Sequence, residues 1–109
     1  MKTIGLLSDT HGYLDDAVFT HFADCDEIWH AGDVGTIAQA DTLAAFKPLR
    51  GVYGNIDGQD VRIVYPEHQF FELEGLRVWM THMGGYPGRY PAKIEETLLR
   101  FKPDLFICG

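Results

Sequence analysis

The sequence predicts an α/β layered fold in one domain. Three observations carry that expectation: short apolar runs of strand length, amphipathic helical stretches between the early runs, and consecutive strands in the second half. Five runs, at residues 3–7, 27–30, 49–53, 77–81 and 104–108, are rich in Ile, Val, Leu or aromatic residues and read as strands. Residues 14–22 place Leu14, Val18, Phe19 and Phe22 on one helical face, with Asp15 and Asp16 in the first turn, where the helix dipole favours anions. Residues 37–46 repeat this design, with Thr36 as the N-cap and Lys47-Pro48 as the stop. A third helix at 92–101 turns Ile94, Leu98 and Phe101 inward and ends before Lys102-Pro103. Strand-helix-strand order at the start implies largely parallel pairing among the early strands. Residues 61–81 break the alternation with two or three consecutive strands, 69–73 turning through Glu74-Gly75 into 76–81. Trp29 and Trp79 are expected in the core. The adjacent Phe70 and Phe71 face opposite sides of a strand and are both buried if that strand lies between two layers.

Charge and cysteine usage narrow the function. Sixteen acidic against nine basic residues give a net charge of −7. That balance disfavours non-specific binding to a nucleic-acid backbone and points to a small substrate. Bound cations make a local field positive whatever the global balance, so acidity does not exclude a phosphorylated ligand. Cys25 and Cys108 lie far apart and form no Cys-x-x-Cys pair, which suggests neither a disulfide framework nor a zinc knuckle and fits a reducing compartment. The apolar start is stopped by Ser8 and Asp9, too short for a signal segment or a membrane span. The expectation is a cytoplasmic protein with no membrane partner; whether it forms a homo-oligomer is left open.

The informative regularity is positional. Each of the first four runs delivers polar residues just past its C-terminal end: Asp9 and His11, then Asp33 within His30-Ala31-Gly32-Asp33, then Asn55 and Asp57 within Gly54-Asn55-Ile56-Asp57, then His82. In open α/β sheets the loops beyond the strand carboxyl ends lie at one edge, so residues remote in sequence converge there. Two Asp, one Asn and two His suit two borderline or hard divalent ions such as Mn, Zn, Fe or Ni, and a shared Asp can bridge them. Gly32 and Gly54, each directly before its ligand, permit a sharp turn or a close backbone approach. Singly, each motif reads as an ordinary turn or cap; four in order, each after its own strand, form a specific composite.

With Asp9-x-His11, Gly32-Asp33, Gly54-Asn55-x-Asp57 and Thr81-His82 in place, the chain resembles the calcineurin-like metallophosphoesterases, in their small bacterial and archaeal phosphodiesterase branch. The resemblance spans nearly all of the sequence. It implies a β-sandwich flanked by helices and two divalent ions, commonly manganese. It also implies that Asp9 and His11 hold the first ion, that Asp33 bridges both, and that Asn55 with His82 holds the second. The implied reaction is attack on a small phosphoester by a hydroxide the ions share, with Asp33 and Asn55 as catalytic groups and Asn55 donating its amide to a phosphoryl oxygen. The family's final Gly-His-x-His motif is absent up to Gly109. The expectation is therefore an incomplete domain whose remaining imidazoles lie further on. Ile56 stands where other branches place a proton-donating His, which leans towards activated or diester substrates.

Other residues are placed around this set. Asp57 is expected behind the ligands, orienting the loop or a ligand. His30 either supports the site or is a buried strand-end His bonded to backbone. In the loop at 84–91, Arg89 could pair with a phosphate and Tyr86 could stack on a base or aryl group, against the plainer reading of a rigid surface loop. His21 and His68 are expected to face solvent, His68 in a polar connection after Pro66. Two competing functions stand beside the phosphodiesterase. One is a protein-interaction scaffold of the same fold, as in the retromer subunit that resembles this family. The other is a nuclease, disfavoured by the acidic balance, Ile56 and the lack of a basic stripe.

Overall fold

A computed structural model describes residues 2–11, 16–83 and 91–109. Its first half alternates as the pattern requires: β1 (Ile4–Leu7), α1 (Asp16–His21), β2 (Glu27–His30), α2 (Ile37–Phe46) and β3 (Leu49–Gly51). The three strands form a parallel sheet in the order β1-β2-β3. Each returns to the same edge because a helix carries the chain back. Thr36 caps α2, its hydroxyl accepting from Gln39 N at 3.3 Å.

The second half holds α3 (Gln59–Val64), β4 (His68–Leu73), β5 (Leu76–Thr81), α4 (Ala92–Phe101) and β6 (Leu105–Cys108). Glu74-Gly75 turns β4 into β5, and Gly75 takes a φ of +84 that suits glycine. β6 joins β5 in parallel, giving a second three-stranded sheet in the order β4-β5-β6. Lys102 closes α4 in the left-handed conformation.

The central strands β2 and β5 are covered on both faces, so their residues are buried without alternation over Glu27–His30 and Val78–Thr81. Between the sheets lies one core, Trp29, Ala31 and Val52 from the first against Val78 and Met80 from the second. Ile4, Phe71, Leu73 and Ile107 flank it. Even Glu27 is accommodated there: Trp29 Nε1 and Arg50 Nε donate to its Oε1 at 2.6 and 2.9 Å. The helices α1 to α3 cover the other face of the first sheet. Val34, Ala40 and Val61 form a second cluster there, and Phe22 packs on Gly5. On the outer face of the second sheet Trp79 is fully buried, stacked between Phe70 and Phe106, and Phe101 of α4 packs edge-on to Phe70. The result is an α/β fold of two sheets flanked by helices.

Three expectations need correction. Residues 59–64 are helical rather than the start of a strand; only Val61 of that turn is buried, while Ile63 and Val64 stay exposed. His68 lies in β4 opposite Thr81 and accepts from Trp79 Nε1 at 3.2 Å, so it is no solvent-facing loop residue. Phe70 remains 47% exposed, because α4 covers only part of the outer face, whereas Phe71 packs into the core. Of the first helix, Val18, Phe19 and Phe22 are part-buried as expected; Leu14 and Asp15 lie outside the described residues. Cys25 and Cys108 are in no disulfide among the described residues. Among the described residues no helix is long and apolar enough to cross a membrane.

Candidate metal centre

The loops after β1, β2, β3 and β5 meet at one edge of the fold. The first two are knitted by backbone: Asp9 N donates to Gly32 O at 2.9 Å and His11 N to Asp33 O at 3.0 Å. Asp9, His11 and Asp33 all sit at positive φ, near 57, 51 and 59. Non-glycine residues adopt this left-handed conformation at a cost, and it concentrates where a side chain must be aimed.

Those turns bring polar atoms face to face. His82 Nε2 lies 3.2 Å from Asp33 Oδ2 and 3.9 Å from Asp9 Oδ1. His11 Nε2 lies 3.5 Å from the same Asp33 oxygen and 3.7 Å from Asp9 Oδ1. One ligand atom each from Asp9, Asp33 and His82 falls within a span of 4.8 Å. Asp33 and His82 are buried, while Asp9 and His11 stand at the open side. Burial opposes ionisation of Asp9, but the Ser8 hydroxyl and the His82 ring, with Asp33 and His11, outweigh it and hold the carboxyl below its usual range.

The ring of His82 is oriented by its surroundings. Its Nδ1 is 2.8 Å from Ala31 O, an atom that only accepts, so Nδ1 carries a hydrogen and Nε2 is the ring nitrogen turned to Asp33. Two acceptors at 3.2 Å repel unless a cation or a proton stands between them. This donor set of carboxylates and imidazoles fits divalent ions of the Mn-to-Zn series.

Glycines make room for the ligands. A Cβ on Gly32 would stand 2.6 Å from His82 Cβ, one on Gly109 would strike His82 Nδ1 and Ala31 O, and one on Gly54 would strike the Asp33 carboxylate and amide. Gly32 thus serves both purposes expected of it, a positive φ and a close approach; Gly54 serves the second.

Behind the ligands the hydrogen bonds are complete. His30 is buried; Gly32 N donates to its Nδ1 at 3.1 Å, so its Nε2–H donates to Thr10 Oγ1 at 3.0 Å, and the Thr10 hydroxyl donates to Val34 O at 3.0 Å. His30 is therefore both a buried strand-end residue bonded to backbone and a tie between the first two ligand loops. Burial pushes its pKa down to about 4, which keeps the ring neutral at neutral pH. The Asp57 carboxylate accepts from Val34, Gly35 and Gly54 amides at 3.1, 2.8 and 2.8 Å. Burial alone would raise its pKa, yet those amides hold it below the usual range. Asn55 is exposed on the loop Asp57 anchors, and that loop touches the site where Ile56 N donates to Asp33 Oδ1 at 3.1 Å. Arg89 and Tyr86 lie outside the described residues. Sequence reasoning missed Thr10, whose only signal was its place between Asp9 and His11.

Comparison with known proteins bears on family and fold. The family model for the calcineurin-like phosphoesterase superfamily domain matches residues 1–109. A probable metallophosphoesterase of Methanothermobacter thermautotrophicus is 32% identical over 111 residues, covering 97% of this chain and 64% of its own length, so the chain spans just under two-thirds of that relative. Among solved structures, an archaeal phosphodiesterase matches with a TM-score of 0.75 at 22% identity, over 100% of this chain and 72% of the other. Vps29 of Chaetomium thermophilum matches with a TM-score of 0.78 at 14% identity, over 100% and 61%. At such identities the two structures speak for the fold alone.

Proposed function

The chain belongs to the calcineurin-like phosphoesterase superfamily, and from that premise we propose that it is a metal-dependent phosphodiesterase acting on a small phosphoester. Asp9 and His11 would hold one divalent ion, Asn55 and His82 the other, with Asp33 available to both. Mn2+ is the favoured metal, with Zn2+, Fe2+ or Ni2+ as neighbours in ligand preference. The observation that carries this reading is the buried Asp33–His82 pair, Nε2 turned to the carboxylate at 3.2 Å with Nδ1 held by Ala31 O, and the ligand atoms of Asp9, Asp33 and His82 gathered within 4.8 Å.

Divalent ions held there would supply a water of lowered pKa and positive charge against the phosphoryl oxygens. The chain's own groups do the rest. Ala31 O and the glycine contacts fix the His82 ring, and His30 with Thr10 fixes the loop bearing Asp9 and His11. Asn55, exposed at the mouth, has an amide able to donate to a phosphoryl oxygen as charge develops there. Ile56 beside it is 47% exposed and has no proton to give, so this position cannot protonate the leaving group. Activated or diester substrates, whose leaving groups need less help, follow from that. Asp57 holds the Asn55 loop against the second ligand loop. The remaining histidine ligands of the family are proposed to come from chain beyond Gly109, and a cytoplasmic setting fits two cysteines that form no disulfide among the described residues.

The test is hydrolysis of an aryl phosphodiester by the protein carried to its natural C-terminus. Chelation is expected to abolish turnover and Mn2+ to restore it. Asp33→Asn keeps the shape and tolerates the left-handed backbone, and is expected to lose more than the roughly 10- to 100-fold typical of a supporting residue. Faster cleavage of an alkyl monoester than of the aryl diester would overturn the diester assignment. A folded protein that binds no ion and cleaves nothing is a scaffold instead.

A further inference from the structure

We infer that Arg62 is a positioning residue that sets the Asn55 loop, and through it the ion shared by Asn55 and His82; the inference rests on the two-metal reading above. Arg62 lies in the last turn of α3, five residues past Asp57. Its Nε donates to Asp57 O at 2.7 Å, and its Nη2 reaches Asn55 O at 3.4 Å and Gly54 O at 3.5 Å. Tyr53, the residue before the loop, lies under the guanidinium, 4.5 Å from its carbon to the ring centroid.

The loop is thereby held from two sides by different groups. Its amides point inward to carboxylates: Gly54 N to Asp57 at 2.8 Å and Ile56 N to Asp33 at 3.1 Å. Three of its carbonyls point outward to one guanidinium. The peptide plane between Asn55 and Ile56 is bonded at both ends, its carbonyl to Arg62 and its N–H to Asp33, and cannot rotate without breaking one side, so the direction of the Asn55 side chain is set by that pair of constraints. Asn55 is exposed like Asp9 and His11, and its amide is the weakest metal donor of the set. It has no charge to draw it to an ion, and depends most on where the backbone aims it.

Arginine suits this task for a geometric reason. The guanidinium is a rigid planar fork whose Nε and Nη2 donors reach acceptors at both ends of a short turn, while its face packs on an aromatic ring. A lysine ammonium keeps the charge and reaches one acceptor region. The role therefore separates from charge alone.

The experiment measures Mn2+ stoichiometry and affinity by calorimetry, and coupling between the two ions by electron paramagnetic resonance, on the protein carried to its natural C-terminus. Arg62→Ala is expected to weaken one of the two sites by about 10- to 100-fold, with the other unchanged and the coupled signal replaced by a mononuclear one. In turnover kcat falls more than KM changes. Millimolar guanidinium ion is expected to restore part of the second site in Arg62→Ala and to do nothing to the parent protein, a rescue that general destabilisation would not show. Should Arg62→Ala fail to fold by circular dichroism, Arg62→Lys serves, and is expected to show the same selective loss at a smaller fold-change. Two sites of parental affinity in a folded variant would overturn the inference and leave the metal reading intact. A parent protein that binds no Mn2+ would overturn the metal reading itself, and is seen before any variant is compared.

Discussion

The two sheets are equal in strand number and opposite in use. The first is built of strands of four, four and three residues, each ending in a loop that delivers polar groups to the site. The second has a hairpin of two six-residue strands and, among the described residues, brings His82 to the site. Its weight lies in the column of Phe70, Trp79 and Phe106, with ring centroids 5.6 and 4.5 Å apart. Backbone conformation divides the same way. Left-handed residues of the first half are Asp9, His11 and Asp33, at the site; those of the second are Glu74 and Lys102, at a turn and a helix cap where such geometry is routine. Strain of about 1–3 kcal/mol per residue is thus placed where aim matters, and the second half supplies apolar packing that helps to offset it.

Four substitutions probe that division. The largest effect is expected from Trp79→Ala, a fully buried indole. Urea unfolding is expected to show a loss of about 3–5 kcal/mol, and a loss below about 1 kcal/mol would remove the aromatic column from its role as anchor. Next comes pH. His30 has its folded pKa depressed from 6.5 to about 4, so the native ring stays neutral while the unfolded one charges. Its contribution is fully present above pH 6.5 and is lost as pH falls towards 4, of order 3 kcal/mol in total. Asp9 and Asp57, depressed from 3.8, lose theirs at lower pH still. His30→Gln is expected to flatten the metal-free stability profile between pH 6.5 and 4; an unchanged slope would assign it to other groups. The smallest effects come from two glycines. Gly54→Ala meets Asp33 and is expected to cost about 1–3 kcal/mol together with metal affinity. Gly75→Ala meets nothing, and is expected to cost about 1–2 kcal/mol through its φ of +84 while Mn2+ binding stays parental. Equal metal losses in the two variants would erase the distinction between the sheets.

What the sequence disclosed follows the same physics. The helix at 37–46 was readable from its cap and stop, and that at 92–101 from its period and stop; Thr36 and Lys102 do what those positions imply. The turn of helix at 59–64 was not, since Val61, Ile63 and Val64 carry β-branched side chains and one buried position leaves no period to detect. His68 was misplaced because Pro66 and Glu67 before it look like loop, while its partners Thr81 and Trp79 are remote. At the site, Asp9, His11, Asp33 and His82 were legible from their places after strands, and the geometry gathers them. Thr10 and Arg62 were not. Each acts through bonds to a neighbouring segment's backbone, and such a bond imposes no spacing on the sequence.

His82 comes from one sheet, yet its Nδ1 bonds to Ala31 O and its Nε2 faces Asp33, both belonging to the other. The chemistry therefore sits astride the seam on which the whole molecule would part. Anything that occupies the gap between Asp33 and His82 also clamps the two layers together, so occupancy of the site and the adhesion of the halves are a single equilibrium written in two places.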